Sequence, residues 1–126
     1  MKKICLIISA VLCLAMTINE VIRKDKNTYI VNTSTLATDV EGFHGNTPVE
    51  IYIEDDTIRK VTALKNNETP RFFKLVEDSL LPRYAGMAIK TAESADVDGV
   101  TGATYSSKAI KENIRRGAKY YTEHKL

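Results

Sequence analysis

The spacing of apolar residues changes once along this chain, and this change is the strongest constraint on its fold. The segment VEIYIE, residues 49–54, alternates strictly between an apolar side chain and an acidic or aromatic one, as a half-buried β-strand does. From Pro70 onward, PRFFKLVEDSLL repeats its apolar residues with the period of a helix. Strands that precede helices in this way are typical of a small α+β domain with an antiparallel sheet packed against helices.

Two more segments predict strands on either side of residues 49–54. The β-branched and aromatic run TYIVNT, Thr28–Thr33, predicts one of them. The run TIRKVTALK, residues 57–65, predicts the second half of a hairpin. The Asp55-Asp56 pair between the hairpin strands lacks the glycine that favours a two-residue turn, so a longer loop is an open alternative.

The first predicted helix begins after a capping Thr69, with Pro70 at its first position. One helical face of this segment holds Phe72, Phe73, Val76 and Leu80. The adjacent rings of Phe72 and Phe73 suit the core at this spacing, with stacking on a ligand as the alternative.

The last predicted helix covers SKAIKENIRRGAKYYTEHK, residues 107–125. Its apolar stripe consists of Ile110, Ile114, Ala118 and Tyr121. Gly117 is expected to weaken this helix by about 1 kcal/mol relative to alanine. Between the two helices, residues 85–100 predict a short helix followed by a short strand.

The N-terminal segment, residues 1–15, predicts a signal peptide or a membrane anchor. After MKK, the apolar run Ile4–Ala15 has twelve residues, whereas a membrane-spanning helix needs about 20. We expect cleavage after Ala15, with an uncleaved anchor or a lipoprotein modified at Cys13 as alternatives. Residues 16–27 then form a charged linker, and residues 28–126 form the domain.

Cleavage after residue 15 removes both cysteines, Cys5 and Cys13. The domain then has no thiol for a disulfide, for nucleophilic catalysis or for a metal site. It also loses two lysines, which leaves 16 basic residues against 16 acidic ones, so nucleic acid is excluded as a partner. Two scattered histidines, His44 and His124, do not predict a metal site.

The segment DGVTGATYSS, residues 98–107, places small and hydroxyl-bearing residues directly before the last predicted helix. Gly102 permits a positive φ and the close approach of a ligand, and Ala103 adds little bulk. Thr104 then places a hydroxyl near the free N–H groups of a helix N-terminus, which favour an anion such as phosphate. A simpler interpretation is that the threonine and serine hydroxyls cap the helix.

The order D-G-x-T-G-A-T at Asp98–Thr104 resembles the flavinylation motif of the FMN-binding domain family. That family includes the subunits that carry covalent flavin in the sodium-pumping NADH:quinone oxidoreductase and in the Rnf complex. The hairpin and the short runs Gly42-Phe43 and Glu68-Thr69-Pro70 resemble further family landmarks in the expected order. The resemblance covers roughly residues 40–121.

The resemblance implies that a dedicated flavin transferase attaches FMN through its phosphate to Thr104. It also implies that Thr101 and Gly102 shape the loop, that Ala103 leaves room for the cofactor, and that Asp98 supports the loop or the transfer reaction. With Thr104 modified, Ser106 and Ser107 are expected to be helix caps.

The residues Glu68 and Thr69 have two open interpretations, which are contacts to the flavin and capping of the helix that begins at Pro70. Here the run NNETPRFF departs from the glycine-rich form E-T-P-G-L-G that is frequent in the family.

The function implied by the resemblance is an exported flavoprotein electron carrier, periplasmic or on the extracytoplasmic face of a bacterial membrane. It would pass electrons between redox partner proteins, membrane-bound ones among them, and would have no catalytic residues of its own. Two alternatives stay open. One is a flavin-dependent reductase of small molecules, and the other is a binding or structural module that keeps the fold without the cofactor.

Overall fold

The computed structural model describes residues 21–125, so the predicted signal or anchor over residues 1–15 lies outside the described residues. The described chain forms a four-stranded antiparallel sheet and three α-helices, which confirms the predicted α+β class. Within this range, no helix combines the length and the apolar character that crossing a membrane requires.

The sheet is a meander in which each strand pairs with the next one along the chain, in the order β1-β2-β3-β4. Its strands are β1 (Ile22–Asp25), β2 (Thr28–Asn32), β3 (Val49–Glu54) and β4 (Thr57–Ala63). The last three coincide with the segments in which apolar alternation or β-branched residues predicted strands. A loop of sixteen residues, 33–48, joins β2 to β3 and is the one long connection in this sheet.

Strand β1 lies inside the segment that was predicted as a charged linker, residues 16–27. The linker prediction is therefore wrong for the residues of β1, and residues 16–20 lie outside the described range. Charged side chains suit this position because β1 is an edge strand, where charge discourages pairing with another chain. Arg23 also forms an ion pair with Glu50 of β3, with 2.7 Å between Nη1 and Oε2.

The hairpin between β3 and β4 has a two-residue turn, so the longer loop left open by the sequence does not occur. Asp55 and Asp56 have φ values of 53° and 56°, and Glu54 pairs directly with Thr57. Positive φ at both central residues is the signature of a type I′ turn. The carboxylate of Asp56 accepts a hydrogen bond from the Tyr121 hydroxyl at 2.7 Å, and this tertiary contact stabilises the unusual backbone without glycine.

The helices are α1 (Pro70–Ser79), α2 (Ile89–Ala92) and α3 (Thr104–His124), with a 3-10 helix over Leu81–Tyr84 between α1 and α2. The short helix predicted within residues 85–100 is α2. The strand predicted after it is absent, because residues 93–103 have no regular secondary structure. Helix α3 begins three residues earlier than its apolar stripe indicated, and it therefore includes Thr104.

The core lies between the sheet and the helices. From the sheet it takes Val31, Val49, Ile51, Ile53, Ile58 and Val61. The helical part contributes Phe73 and Val76 from α1, Leu80 directly after it, and Ile110, Ile114, Ala118 and Tyr121 from α3. The predicted stripe of α3 is thus confirmed, and α3 is the element that covers the centre of the sheet.

Gly117 marks the closest approach of α3 to the sheet. A Cβ atom at this position would lie 2.5 Å from Cδ1 of Ile51 and 3.0 Å from Cγ2 of Thr33. The sequence predicted only the cost of a glycine in a helix. The packing explains why a glycine is present here, because no larger residue fits at this contact without displacing its neighbours.

Candidate functional site

The motif over Asp98–Thr104 forms a tight turn that leads directly into α3. The N–H of Ala103 donates to the carbonyl of Val100 at 3.0 Å, and Gly102 has a φ of 89°. This combination is a type II β-turn, which needs a residue with positive φ at its third position. A Cβ at Gly102 would meet no atom within 4 Å, so this side of the turn is open to a ligand.

The N-terminus of α3 carries free hydrogen-bond donors. Ala103 occupies the N-cap position, and no side chain caps the helix. The first intrahelical bond runs from the N–H of Ser107 to the carbonyl of Ala103 at 2.9 Å. The N–H groups of Thr104, Tyr105 and Ser106 precede it and have no acceptor within the helix. Together with the helix dipole, they favour an anion at this end of α3.

The two serines of the motif do not cap α3, contrary to the prediction. Ser107 is buried, and its Oγ accepts a hydrogen bond from the N–H of Val100 at 3.1 Å, which ties the turn to the helix. Ser106 is also buried, and its hydroxyl donates to Oε1 of Glu68 at 2.6 Å. Both side chains lie within the first turn of the helix and serve its packing.

A cavity of about 290 Å³ opens beside this helix terminus, close to the lower end of the range of roughly 300–1,000 Å³ for ligand pockets. It is lined by Phe43, Thr69, Phe72, Gly102, Ala103, Thr104, Tyr105 and Ser106. None of these eight residues is charged. Among the lining residues, positive potential therefore comes from the helix N-terminus, and the guanidinium of Arg71 lies nearby, 6.0 Å from the centroid of the Phe72 ring.

Three aromatic side chains on the cavity wall are exposed, which is unusual for residues of this size. Phe43 is 66% exposed, Tyr105 is 63% exposed and Phe72 is 46% exposed. The rings of Phe43 and Tyr105 lie 6.1 Å apart at an interplanar angle of 40°. Exposed rings around a concave surface are typical of a binding site for a flat, apolar ligand.

The sequence favoured both Phe72 and Phe73 as core residues, and the structure separates them. Phe73 is buried against the sheet, whereas Phe72 points from α1 into the cavity. Phe43 and Tyr105 were not predicted as site residues. The only indication in the sequence was that Phe43 follows Gly42 and that Tyr105 follows Thr104. Nothing in the sequence showed that these two parts of the chain lie together.

Thr69 occupies the N-cap position of α1, but its side chain makes no capping hydrogen bond. It is exposed and lines the cavity. Glu68 does not cap α1 either. Its carboxylate is buried and accepts hydrogen bonds from the N–H groups of Phe43 and His44 and from the Ser106 hydroxyl. Capping is therefore the wrong interpretation for both side chains.

Among the predicted site residues, Thr69, Gly102, Ala103 and Thr104 line the cavity. Three others, Asp98, Thr101 and Glu68, do not. Asp98 supports the turn through its backbone. Its carbonyl accepts a hydrogen bond from Nη1 of Arg83 at 2.7 Å, and its side chain is exposed. Across residues 21–125, no group of three histidine, cysteine, aspartate or glutamate residues is arranged to hold a metal ion.

The donor groups and shapes of this site fit FMN. The free N–H groups of Thr104, Tyr105 and Ser106 suit its phosphate, and the exposed rings of Phe43 and Phe72 suit its flat isoalloxazine ring. The fit depends on parts of the chain that lie far apart in sequence.

A comparison with models of protein families finds one that describes the FMN-binding domain, and it matches residues 42–119. The match includes every residue that lines the cavity, from Phe43 to Ser106. A comparison with curated proteins finds no match. Because the family match covers more than half of the 126 residues, the chain belongs to the FMN-binding domain family, and it is a flavin-binding protein whose cofactor is FMN.

Proposed function

We propose that this protein is an exported electron carrier in which FMN is attached as a phosphoester to Thr104. The observation that carries the proposal is the placement of the motif hydroxyls. Thr104 is exposed and lines the cavity, whereas Ser106 and Ser107 are buried and engaged in hydrogen bonds. Thr101 is exposed but does not line the cavity.

The helix terminus supports attachment through the phosphate. An ester bond to Oγ1 of Thr104 keeps the phosphate at the first residue of α3, close to the free N–H groups of the same turn. A phosphodiester keeps one negative charge, which the N–H groups and the dipole stabilise. We expect a flavin transferase to use a flavin dinucleotide as the donor. The bond from Oγ1 of Thr104 to the FMN phosphorus forms as the phosphoanhydride bond of the donor breaks, a nucleoside monophosphate leaves, and Thr104 loses its hydroxyl proton.

The walls of the cavity support a carrier rather than a reductase. The bound FMN would accept and release electrons. Among the described residues, no histidine, aspartate, glutamate or lysine lines the cavity, which leaves the exposed Tyr105 hydroxyl as the one acidic side-chain group of its wall. Because the cavity opens to the surface beside Phe43 and Tyr105, an edge of the cofactor would be accessible to redox partner proteins.

The N-terminal sequence supports export. MKK followed by the apolar run to Ala15 is typical of a secretory signal. A covalent link suits a protein outside the cytoplasm because FMN lost there could not be replaced from cytoplasmic pools. We therefore place the protein on the extracytoplasmic side of a bacterial membrane, where its partners include membrane-bound redox proteins.

Intact mass spectrometry tests the proposal directly. The full chain is expressed with an active flavin transferase in an exporting host, alongside the variants Thr104→Ala, Thr104→Ser and Thr91→Ala. We expect the wild type and Thr91→Ala to gain the mass of FMN less one water. Thr104→Ala should gain nothing, and Thr104→Ser should be at least partly modified because it keeps a hydroxyl at the same position.

Thr91→Ala is the matched control, since Thr91 is an exposed threonine on α2 that lies outside the motif and does not line the cavity. An unmodified wild type in the presence of active transferase would refute covalent attachment, and modification of Thr104→Ala would refute the assigned residue. Anaerobic reduction of the modified protein, with and without small-molecule oxidants, then separates a carrier from a reductase. Rapid turnover of such an oxidant would favour the reductase.

A further inference from the structure

The buried carboxylate of Glu68 connects three segments that form the walls of the cavity. Glu68 directly precedes Thr69 and α1 in the chain and is 6% exposed. Its own N–H donates to Oδ1 of Asn66 at 3.0 Å, which fixes the backbone from which the side chain extends. From there the carboxylate reaches both the turn around Phe43 and the first turn of α3.

The hydrogen bonds of Glu68 occupy both of its oxygens. Oε1 accepts from the N–H of Phe43 at 2.7 Å and from the Ser106 hydroxyl at 2.6 Å, and Oε2 accepts from the N–H of His44 at 2.5 Å. Short bonds of this kind to a carboxylate are charge-assisted and stronger than bonds between neutral groups. With these donors in place, the carboxylate is engaged by the protein itself and is not placed to bind the cofactor.

The turn that Glu68 holds is built to admit its carboxylate. The N–H of Gly42 donates to the carbonyl of Gly45 at 2.7 Å, which closes the turn. A Cβ at Gly42 would overlap Oε1 of Glu68. Only glycine leaves room for the carboxylate here, so Gly42 and Glu68 depend on each other.

We infer that Glu68 is a positioning residue that sets the ring of Phe43 relative to Thr104, and that it does not bind FMN itself. The inference deepens the proposed function and rests on it. Phe43 belongs to the turn that Glu68 holds, and Thr104 lies two residues before Ser106 on α3. The one carboxylate therefore fixes the distance between the aromatic wall and the hydroxyl that would carry the cofactor.

A purely structural role would lower stability without changing how FMN sits in the folded protein. A positioning role predicts an additional, spectroscopic effect. A displaced Phe43 changes the surroundings of the isoalloxazine ring even when the protein is fully folded. Glu68→Gln separates the two roles, since the amide keeps the shape but presents an N–H donor to the donor groups of the turn. Glu77→Gln, on an exposed face of α1, is the matched control.

The first measurement is the visible circular dichroism of FMN bound to Thr104→Ala proteins, recorded well below their melting temperatures. We expect Glu68→Gln to alter this spectrum and Glu77→Gln to leave it unchanged. The second measurement is the initial rate of FMN attachment in proteins that keep Thr104. A displacement of about 1 Å slows a positioned reaction by as much as about 100-fold, so we expect Glu68→Gln to slow attachment by roughly 10- to 100-fold.

A double-mutant cycle tests the contact itself. Gly42→Ala should disturb the spectrum in the wild-type background, where its Cβ meets Glu68. Its effect should be clearly smaller in Glu68→Ala, which removes the opposing oxygen and leaves the contact of 3.2 Å with Cγ2 of Thr47. Equal effects of Gly42→Ala in both backgrounds would contradict the inferred coupling.

A folded Glu68→Gln protein with the wild-type spectrum and the wild-type attachment rate would overturn the positioning role. If Glu68→Gln does not fold, the variant Ser106→Ala tests the positioning role instead. It removes one of the three hydrogen bonds to the Glu68 carboxylate and should change the spectrum in the same direction. An unchanged spectrum for folded Ser106→Ala would then overturn the inference. The spectrum does not depend on the ester, so a failure of covalent attachment is distinguishable from a failure of positioning.

Discussion

Replacing Gly117 by alanine tests how closely α3 packs on the sheet. Two effects oppose each other at this position. Alanine favours the helix by about 1 kcal/mol relative to glycine, but its Cβ would lie 2.5 Å from Cδ1 of Ile51 and 3.0 Å from Cγ2 of Thr33. Overpacking of a core contact costs about 1–3 kcal/mol. The outcome depends on whether the two neighbours can move.

Neither neighbour of Gly117 is free to move at low cost. Ile51 is fully buried at the centre of β3. The hydroxyl of Thr33 donates to Oδ1 of Asn113 at 2.6 Å and accepts from the N–H of Val49 at 3.0 Å, so a rotation of this side chain would break both bonds. We therefore expect overpacking to exceed the gain in helix propensity. Gly117→Ala should lower the free energy of unfolding by up to about 2 kcal/mol, which is the difference between the two effects.

Urea denaturation and thermal melting measure this effect. For a domain of this size, about 1 kcal/mol corresponds to a fall of roughly 4–8 °C in the melting temperature. Ile51→Val removes Cδ1 and should cost about 0.5–1.5 kcal/mol alone. In that background, the penalty for Gly117→Ala should shrink by about 1 kcal/mol.

Gly99→Ala is the matched control for Gly117→Ala, because its Cβ would lie 3.5 Å from Cβ of Ser107, which is an ordinary contact. Its effect should stay within about 0.5 kcal/mol. A Gly117→Ala protein as stable as the wild type would refute the reasoning about close packing. An undiminished penalty beside Ile51→Val would show that Ile51 is not the opposing group.

Three further predictions concern pH and ligand binding. Burial raises the pKa of Tyr84 to about 12, whereas the unfolded chain titrates near its usual value of about 10. Stability should therefore fall as pH rises above about 10, and less so in Tyr84→Phe, as alkaline denaturation curves would show. The hydrogen bond from Arg116 lowers the pKa of Asp39 to about 2, so its stabilising contribution is present at neutral pH and is lost as pH falls from about 4 through 2. Acid denaturation of Asp39→Asn should lack this component, and an unchanged acid transition would contradict the assignment. Phe43→Ala should keep the melting temperature within a few degrees because the ring is exposed, but should weaken non-covalent FMN binding roughly 2- to 12-fold in fluorescence titrations; unchanged affinity would remove Phe43 from the site.

The sequence predicts most elements of this fold because their residues face a uniform environment. Strand β3 alternates strictly and is buried on one face only, so its period of two is directly visible. The stripe of α3 is visible for the same reason. Strand β1 was missed because an edge strand with charged side chains has no apolar period to detect.

The candidate site was predicted only where local sequence determines it. The turn at Gly102 and the helix start at Thr104 depend on neighbouring residues, and the motif shows both. The role of Glu68 depends on donors that lie 24 to 38 residues away in the chain. No pattern of spacing indicates which buried carboxylate will meet which N–H group, and the outward orientation of Phe72 depends on the same long-range packing.

The order of elements along the chain has a consequence for how the protein is made. All four strands precede α3, so they leave the ribosome before the helix that covers their apolar face. Until that helix docks, Ile51 lacks the helix that packs against it at Gly117, and Thr104 has no place beside Phe43. The proposed modification of Thr104 would thus follow translocation and folding, and the added mass would report that an exported molecule has matured.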